Sequence, residues 1–160
     1  MRLAFFLTLT LTATLAAPNT NLFLEDTTQD DYIISGVTAN YIQAYLICKK
    51  NGFIMAMERT EEETEIIKEK ITELQVEDYD HYLGGFNEVT DSVKQWFWID
   101  SNQSITYDHW SDTGEKKLDC LLKTSLNSDD AGKWTSNNCA EEKYFICQKP
   151  PLAQTYYNKT

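Results

Sequence analysis

Two segments in the first half of the chain have the apolar spacing of amphipathic helices. In the first, apolar side chains recur at i, i+3, i+4 and i+7, the spacing that places them on one helical face: Tyr41, Ala44, Tyr45 and Cys48. Thr38 is the predicted N-cap of this helix, and Asn51-Gly52 is a typical helix end. Cys48 is therefore expected on the buried face.

The second predicted helix begins at Thr60. Thr60 and Glu63 have the spacing of a capping box, in which each residue covers a free backbone N–H group of the other. The apolar face of this helix is expected to consist of Ile66, Ile67, Ile71 and Leu74. Short extended segments are predicted on either side of the first helix, at residues 32–35 and 53–57.

The second half of the chain has the pattern of short strands separated by turns. Six short runs rich in aromatic and aliphatic residues are bounded by polar or glycine-containing turns: residues 82–86, 96–99, 105–107, 120–122, 133–135 and 144–147. Residues 100–104 are expected at the tip of a hairpin. A helical first half followed by a strand-rich second half predicts an α+β fold.

The first sixteen residues have the features of a secretory signal peptide. Arg2 precedes an apolar run that ends at small residues, and this run is shorter than the ~20 residues of a membrane span. We expect a cleaved signal peptide over residues 1–16, a loose arm over residues 17–30, and a secreted, extracellular protein without membrane insertion. The formal net charge of −11 disfavours nucleic acid as a partner.

Four cysteines in a chain expected to be secreted favour two disulfides rather than a metal site. Cys120 and Cys139 lie beside neighbouring predicted strands, so a bond between them would close one loop and leave Cys48 for Cys147. The number of cysteines alone permits three connectivities.

Several motifs, in this order, resemble those of the C-type lectin-like domain family. They are Tyr82-Leu83-Gly84-Gly85, Trp96-Phe97-Trp98-Ile99-Asp100, Tyr107-Asp108-His109-Trp110, and Asp119-Cys120 followed by Gly132-Lys133-Trp134, Cys139 and Phe145-Ile146-Cys147. The resemblance covers residues 31–149 and leaves residues 150–160 as a flexible tail. It implies the family's fold of two helices, short antiparallel sheets and a long loop region.

The resemblance also implies the disulfides Cys48–Cys147 and Cys120–Cys139. No further cysteine pair precedes these four, so the chain is similar to the short form of the domain. A signal peptide followed by one acidic domain is similar to secreted insect C-type lectins.

The resemblance places the family's calcium-dependent sugar site on residues that are poor calcium ligands. Members with this site use Glu-Pro-Asn or Gln-Pro-Asp, then a glutamate two residues before the third cysteine, then Asn-Asp after the last tryptophan. The corresponding residues are Glu115, Lys116, Lys117, Leu118, Thr135 and Ser136. Calcium takes six to eight oxygen ligands, which these side chains do not supply. We therefore expect no metal and no cofactor.

A displaced calcium site among other carboxylates is possible on composition but not favoured, because scattered surface carboxylates are common. The carboxylates in question flank the same end of the predicted fold: Asp108, Asp112, Glu115, Asp129, Asp130, Glu141 and Glu142. His81, predicted as an edge residue, and His109 match no nucleophile motif, and the two lack metal-ligand spacing. An enzyme is therefore not expected.

The leading interpretation is a secreted recognition module for extracellular glycans or glycoproteins. The alternative is a calcium-independent protein-binding module, such as an inhibitor or an assembly component of an extracellular or seminal fluid. The predicted ligand-binding face spans residues 107–119 and 127–138, with candidate contacts at Glu115, Lys116, Lys117, Asp119, Thr135, Ser136 and Asn137. Two glycosylation sequons begin at Asn102 and Asn158.

Overall fold

The computed structural model describes residues 22–24, 31–90, 93–112 and 118–151. The signal peptide expected over residues 1–16, most of the arm at residues 17–30, and the tail beyond residue 151 lie outside the described residues. So do four candidate site residues: Glu115, Lys116, Lys117 and Asn158.

Helix α1 (Tyr41–Lys50) begins two residues later than the sequence predicted. Its N-cap is Asn40, because Asn40 Oδ1 accepts from Gln43 N–H at 3.0 Å and Gln43 Oε1 accepts from Asn40 N–H at 3.3 Å. The assignment of Thr38 as the cap was wrong. The adjoining Ala39 pairs with Lys143 in extended conformation, which keeps this segment out of the helix. The predicted end is confirmed, since Gly52 has a positive φ of 83°.

Helix α2 (Glu61–Glu73) begins after Thr60, as predicted. Thr60 Oγ1 accepts from Glu63 N–H at 3.2 Å. The Glu63 carboxylate does not reach back to Thr60 as expected. It accepts from the backbone N–H of Arg59 at 2.6 Å and also forms an ion pair with the Arg59 guanidinium. Glu63 therefore binds the backbone of Arg59, the residue immediately before the N-cap, instead of the N-cap itself.

The described residues contain eight strands in one mixed sheet. They are β1 (Tyr32–Ile34), β2 (Ile54–Met55), β3 (His81–Thr90), β4 (Val93–Trp98), β5 (Gln103–Ser104), β6 (Cys120–Lys123), β7 (Trp134–Asn137) and β8 (Tyr144–Gln148). The central order is β1-β8-β3-β4-β5, with β2 on β8, and with β6 between β3 and β7. Only the β3–β8 pair is parallel among these strands. The α+β prediction is confirmed.

The two helices cover opposite faces of this sheet. Ile67 and Ile71 of α2 belong to a buried cluster with Leu83 of β3, whereas Tyr41 of α1 belongs to another with Tyr82. Successive residues of a strand point to opposite faces, so one short run of β3 supplies both clusters.

The disulfides link these layers in the pairing that the resemblance implies. Cys48 of α1 is bonded to Cys147 of β8, and Cys120 of β6 is bonded to Cys139 beyond β7. The first bond closes a separation of 99 residues and the second a separation of 19. In the chain-entropy account the longer loop contributes about 4.7 kcal/mol and the shorter about 3 kcal/mol.

The glycine pair in β3 allows neighbouring elements to approach closely. A Cβ on Gly85 would lie 2.8 Å from the Cβ of Leu121, and one on Gly84 would lie 2.9 Å from the Cβ of Met55. Any larger residue would therefore push β6 or β2 away from the centre of the sheet.

A charged pair lies in the core between α2 and the sheet. Glu58 and Lys123 are both fully buried, and Lys123 Nζ lies 2.7 Å from Glu58 Oε1. Lys123 also donates to the Gly132 carbonyl at 2.8 Å, and the indole N–H of Trp134 donates to the second oxygen of Glu58. Burial lowers the pKa of Lys123, whereas Glu58 favours its charged form. Removal of either side chain would thus leave the other charged group buried without its counter-charge.

We expect Lys123→Met to lower the free energy of unfolding by about 3–5 kcal/mol, because it leaves the Glu58 carboxylate buried and uncompensated. The double variant Glu58→Gln/Lys123→Met should lose less, since glutamine keeps an acceptor for Trp134 and carries no charge. Urea denaturation with the disulfides intact measures both. Equal losses in the two variants would contradict this account of the pair.

His81 is a core residue, so its prediction as an edge residue was wrong. It begins β3 and pairs with Lys123 of β6 on one side and Tyr144 of β8 on the other, which leaves it 1% exposed. Its Nδ1 is buried without a hydrogen-bond partner in the described structure. Burial lowers the pKa of His81 to about 4, and the nearby Asp80 opposes this only in part.

His81 should make the fold sensitive to mild acid. The unfolded chain takes up a proton near pH 6.5, whereas the folded chain resists it down to pH about 4. Stability therefore falls as pH drops through this window, by about 3 kcal/mol from this residue. Denaturation at pH 7 and pH 4 should show a smaller loss in His81→Phe than in the wild type. The same pH dependence in both proteins would show that His81 is not the source of the acid sensitivity.

Candidate ligand-binding face

Most of the predicted contacts that the structure describes lie at one end of the β6–β7 hairpin, whereas Thr135 pairs with Leu122 further along it. Asp119 immediately precedes β6, and Cys120 pairs with Asn137, the last residue of β7. The Cys120–Cys139 disulfide crosses the same end. Antiparallel pairing thus places Asp119 near the end of β7, from which it is distant in sequence.

The side chains of β7 do not all share one face. Ser136 is buried on the side of Trp134, whereas Thr135 and Asn137 alternate to the other side and are half-buried. Asp119 is exposed, and its carbonyl accepts from Asn87 N–H at 2.8 Å. Of the four described candidates, Asp119 is therefore exposed, Thr135 and Asn137 are half-buried, and Ser136 is buried.

Ser136 and Leu118 form a contact that defines this end of the hairpin. Ser136 Oγ accepts from the backbone N–H of Leu118 at 3.1 Å. The Leu118 side chain is 42% exposed, so a large apolar group faces solvent beside Asp119. The oxygen of Ser136 is directed at the backbone and away from solvent, and Leu118 offers no side-chain oxygen.

Asn137 takes part in an internal network with Tyr82 and Glu141. Its Nδ2 donates to Tyr82 Oη at 3.1 Å and to Glu141 Oε2 at 3.3 Å. Tyr82 in turn donates to the carbonyls of Asn138 and Glu141 at 2.9 and 3.0 Å. These bonds attach the segment after β7 to Tyr82 of β3. Partial burial raises the pKa of Tyr82, so it stays a donor at neutral pH.

An aromatic cluster lies at the other end of β7, around the buried Trp134. Its ring makes edge contacts at 5.6–6.0 Å with four neighbouring rings: Trp98, Tyr107, His109 and Trp110. The backbone of residues 109–111 also pairs with Trp134. The Trp134 N–H donates to the His109 carbonyl, and the Ser111 N–H donates to the Trp134 carbonyl. Residues 107–111 are thereby attached to the start of β7.

The segment that begins at Asn127 lies apart from Leu118. Asn127 Nδ2 donates to Asp78 Oδ1 at 2.7 Å, and Leu126 N–H donates to the Glu77 carbonyl at 2.9 Å. This segment follows β6, whereas Leu118 precedes it, so the two are at opposite ends of that strand. The predicted face thus extends over both ends of the β6–β7 hairpin.

The described residues at the family's calcium positions do not form an oxygen cage. Leu118 is a hydrocarbon, and the Ser136 hydroxyl is already an acceptor inside the fold. In the described ranges, no three His, Cys, Asp or Glu side chains converge in a way that could hold a metal ion. The carboxylates considered for a displaced site include Asp129, Asp130 and Glu141, and among described residues they form no such group.

The two histidines have separate and different surroundings. His109 stacks on Tyr107 with ring centroids 5.8 Å apart, and partial burial lowers its pKa. His81 contacts Tyr144 at a ring distance of 6.1 Å. Both rings act as packing groups in an aromatic environment.

No helix in the part of the chain that is described is long and apolar enough to cross a membrane.

The chain belongs to the C-type lectin domain family. The family model described as "Lectin C-type domain" matches residues 37–149, which is most of the chain. The match begins just before α1 and ends just after β8, so it contains both disulfides and the hairpin described above. The family is generally non-enzymatic.

Solved structures show the same fold at low identity. Human lithostathine is 18% identical, with a TM-score of 0.64 over 76% of this chain and 94% of its own. The mouse scavenger receptor C-type lectin carbohydrate-recognition domain is 20% identical, with a TM-score of 0.62 over 85% and 99%. Herring type II antifreeze protein is 19% identical, with a TM-score of 0.62 over 84% and 99%. Such likeness establishes the architecture and no shared ligand.

Sequence reasoning missed the buried Lys123 at the other end of β6, although the sequence carries a signal for it. Leu121 and Lys123 are two residues apart in a strand, so they share a face, and Leu121 is fully buried. A lysine at an inward position predicts a buried partner. Glu58 could not be identified as that partner, because 65 residues separate the two.

Asn102 is expected to carry a glycan in protein secreted from eukaryotic cells. It is exposed in the turn between β4 and β5, with a positive φ of 53°. Glycosidase treatment should lower the mass of the wild type, and peptide mapping should place the glycan at Asn102 as distinct from Asn158. Asn102→Gln and Ser104→Ala should both abolish it. An unmodified Asn102 peptide in the secreted protein would refute the assignment.

Proposed function

We propose that the protein is a secreted recognition module that binds a protein or glycoprotein surface without calcium. The observation that carries the proposal is the exposed Leu118 at the position where calcium-binding family members have a glutamate ligand, with its N–H bonded to Ser136 Oγ. An apolar side chain beside the exposed Asp119 suits a mixed apolar and polar protein contact better than an ion.

The charge of the chain narrows the class of partner. A formal net charge of −11 favours association with a neutral or basic extracellular surface and opposes nucleic acid and anionic membranes. Lys116 and Lys117, which immediately precede Leu118 in the sequence, are candidate cationic contacts in this otherwise acidic chain.

A glycan ligand is the second candidate, because the mouse scavenger receptor domain of the same fold is a carbohydrate-recognition domain. Another structural neighbour is a Ca2+-dependent type II antifreeze protein, so this fold also serves functions other than sugar binding. The two candidates differ in competition by sugar. Free monosaccharides should displace a glycan ligand and leave a protein partner bound.

A pull-down from the source fluid distinguishes these candidates. The immobilised protein should retain a partner equally in millimolar calcium and in chelator, and free mannose or galactose should not release it. Leu118→Glu should weaken this retention at least tenfold. Ile66→Glu, an equally exposed isoleucine on α2, should leave it unchanged. Loss of retention in chelator would contradict the proposal.

Thermal melting provides an independent test of calcium independence. An ion that binds only the folded state stabilises it by about 2.7 kcal/mol at one hundred times Kd. For a domain near this size that stabilisation would raise Tm by roughly 5–11 °C. We expect a shift near zero between millimolar calcium and chelator. A shift of several degrees would reveal a calcium site.

A further inference from the structure

The outward face of α1 exposes two large apolar side chains in one row. Ile42 and Leu46 are each 56% exposed, more than any other large hydrophobic residue in the described ranges. They are four residues apart and therefore adjacent on the helix surface. Tyr45 is partly buried beside them, whereas Tyr41, Ala44 and Cys48 face the core. Covering the exposed part of both side chains against a partner would be favourable, because it removes apolar surface from water.

The two ends of this face carry opposite charges. Lys49 and Lys50 form the last turn of α1, and Lys49 is paired with Asp100 at 2.6 Å. At the other end, Ala39 and Lys143 exchange backbone hydrogen bonds of 3.0 Å, which places the exposed Glu142 beside the helix start. Lys50 and Glu142 are exposed, and neither has an ion-pair partner among the described residues.

We propose that α1 is the contact surface for a second copy of this chain. In a two-fold symmetric contact each residue meets the same partner on both sides, so the surface must complement itself. An antiparallel pair of α1 helices meets this condition. Ile42 of each copy lies against Leu46 of the other, and Lys50 of each copy approaches Glu142 of the other.

The apolar row and its charged ends fit a second copy of this chain, in which local pairing of opposite charges opposes the repulsion between two acidic chains. An antiparallel copy of α1 matches the apolar centre and both charged ends at once, because the negative end of one copy faces the positive end of the other. A partner of uniform charge would match one end and be repelled at the other. The proposal does not rest on the ligand-binding function, since none of its residues belongs to the β6–β7 face.

The size of the contact sets the expected affinity. Helix α1 has ten residues and is therefore about 15 Å long. The area buried between two such helices is small, at or under roughly 1,200 Å², which is the lower limit of standard protein interfaces. We therefore expect a dimer that forms in the micromolar range, with monomer at lower concentration.

Sedimentation velocity of the secreted, disulfide-bonded protein from roughly 1 μM to 1 mM tests the dimer in the range expected for a small interface. The wild type should shift from monomer to dimer. Leu46→Glu should raise the dissociation constant at least tenfold, and Ile66→Glu on α2 should not change it. Circular dichroism should show Leu46→Glu folded, since glutamate suits an exposed helical position.

Charge exchange tests the antiparallel arrangement itself. Lys50→Glu should weaken the dimer, and Lys50→Glu/Glu142→Lys should restore it towards the wild-type dissociation constant. Recovery in the double variant would support the proposed geometry. A wild type that stays monomeric over the whole range, a dimer unaffected by Leu46→Glu, or a double variant as weak as Lys50→Glu would overturn the proposal.

Discussion

The Cys48–Cys147 disulfide is the constraint on which the layered structure depends. It joins the buried face of α1 to β8, and β8 pairs with β1, β2 and β3 at the centre of the sheet. The bond thus ties residues 99 apart in sequence to a single point. By removing freedom from the unfolded chain it stabilises contacts of high sequence separation, which are the contacts that hold this fold together.

The second disulfide has a more local role. Cys120–Cys139 closes the β6–β7 hairpin at the end where Leu118, Asp119 and Ser136 meet. At the other end of the hairpin, Lys123 and Trp134 are tied to Glu58. Both ends of the hairpin are therefore held by contacts within the protein. A change of ligand chemistry at Leu118 need not disturb the core.

The helices show how one sheet can present different surfaces. The inward faces of α1 and α2 contribute to separate buried clusters, and each helix has an outward face of its own character. That of α2 carries several ion pairs, for example Lys68 with Glu65. That of α1 carries Ile42 and Leu46. The difference follows from the sequence, but only packing reveals which residues of α1 stay uncovered, because apolar residues occur on both of its sides.

The positions of the helices and of most strands could be predicted from the sequence, because they depend on local interactions. Helical spacing identified both helices, Thr60 marked the start of α2, and Gly52 marked the end of α1. Alternating short runs and turns identified most strands. The cysteines and motifs, through the family resemblance, indicated the fold and the disulfide pairing. Each of these signals depends on neighbours within a few residues, or on a pattern that the family shares.

Tertiary structure decided what depends on distant partners. Extended pairing of Ala39 with Lys143 moved the α1 cap from Thr38 to Asn40, and strands on both sides of His81 turned an expected edge residue into a buried one. The partner of Lys123 and the division of the β7 side chains between two faces were likewise set by packing. The sequence pattern predicts which side chains of a strand share a face, but only the folded sheet determines which residues lie opposite them.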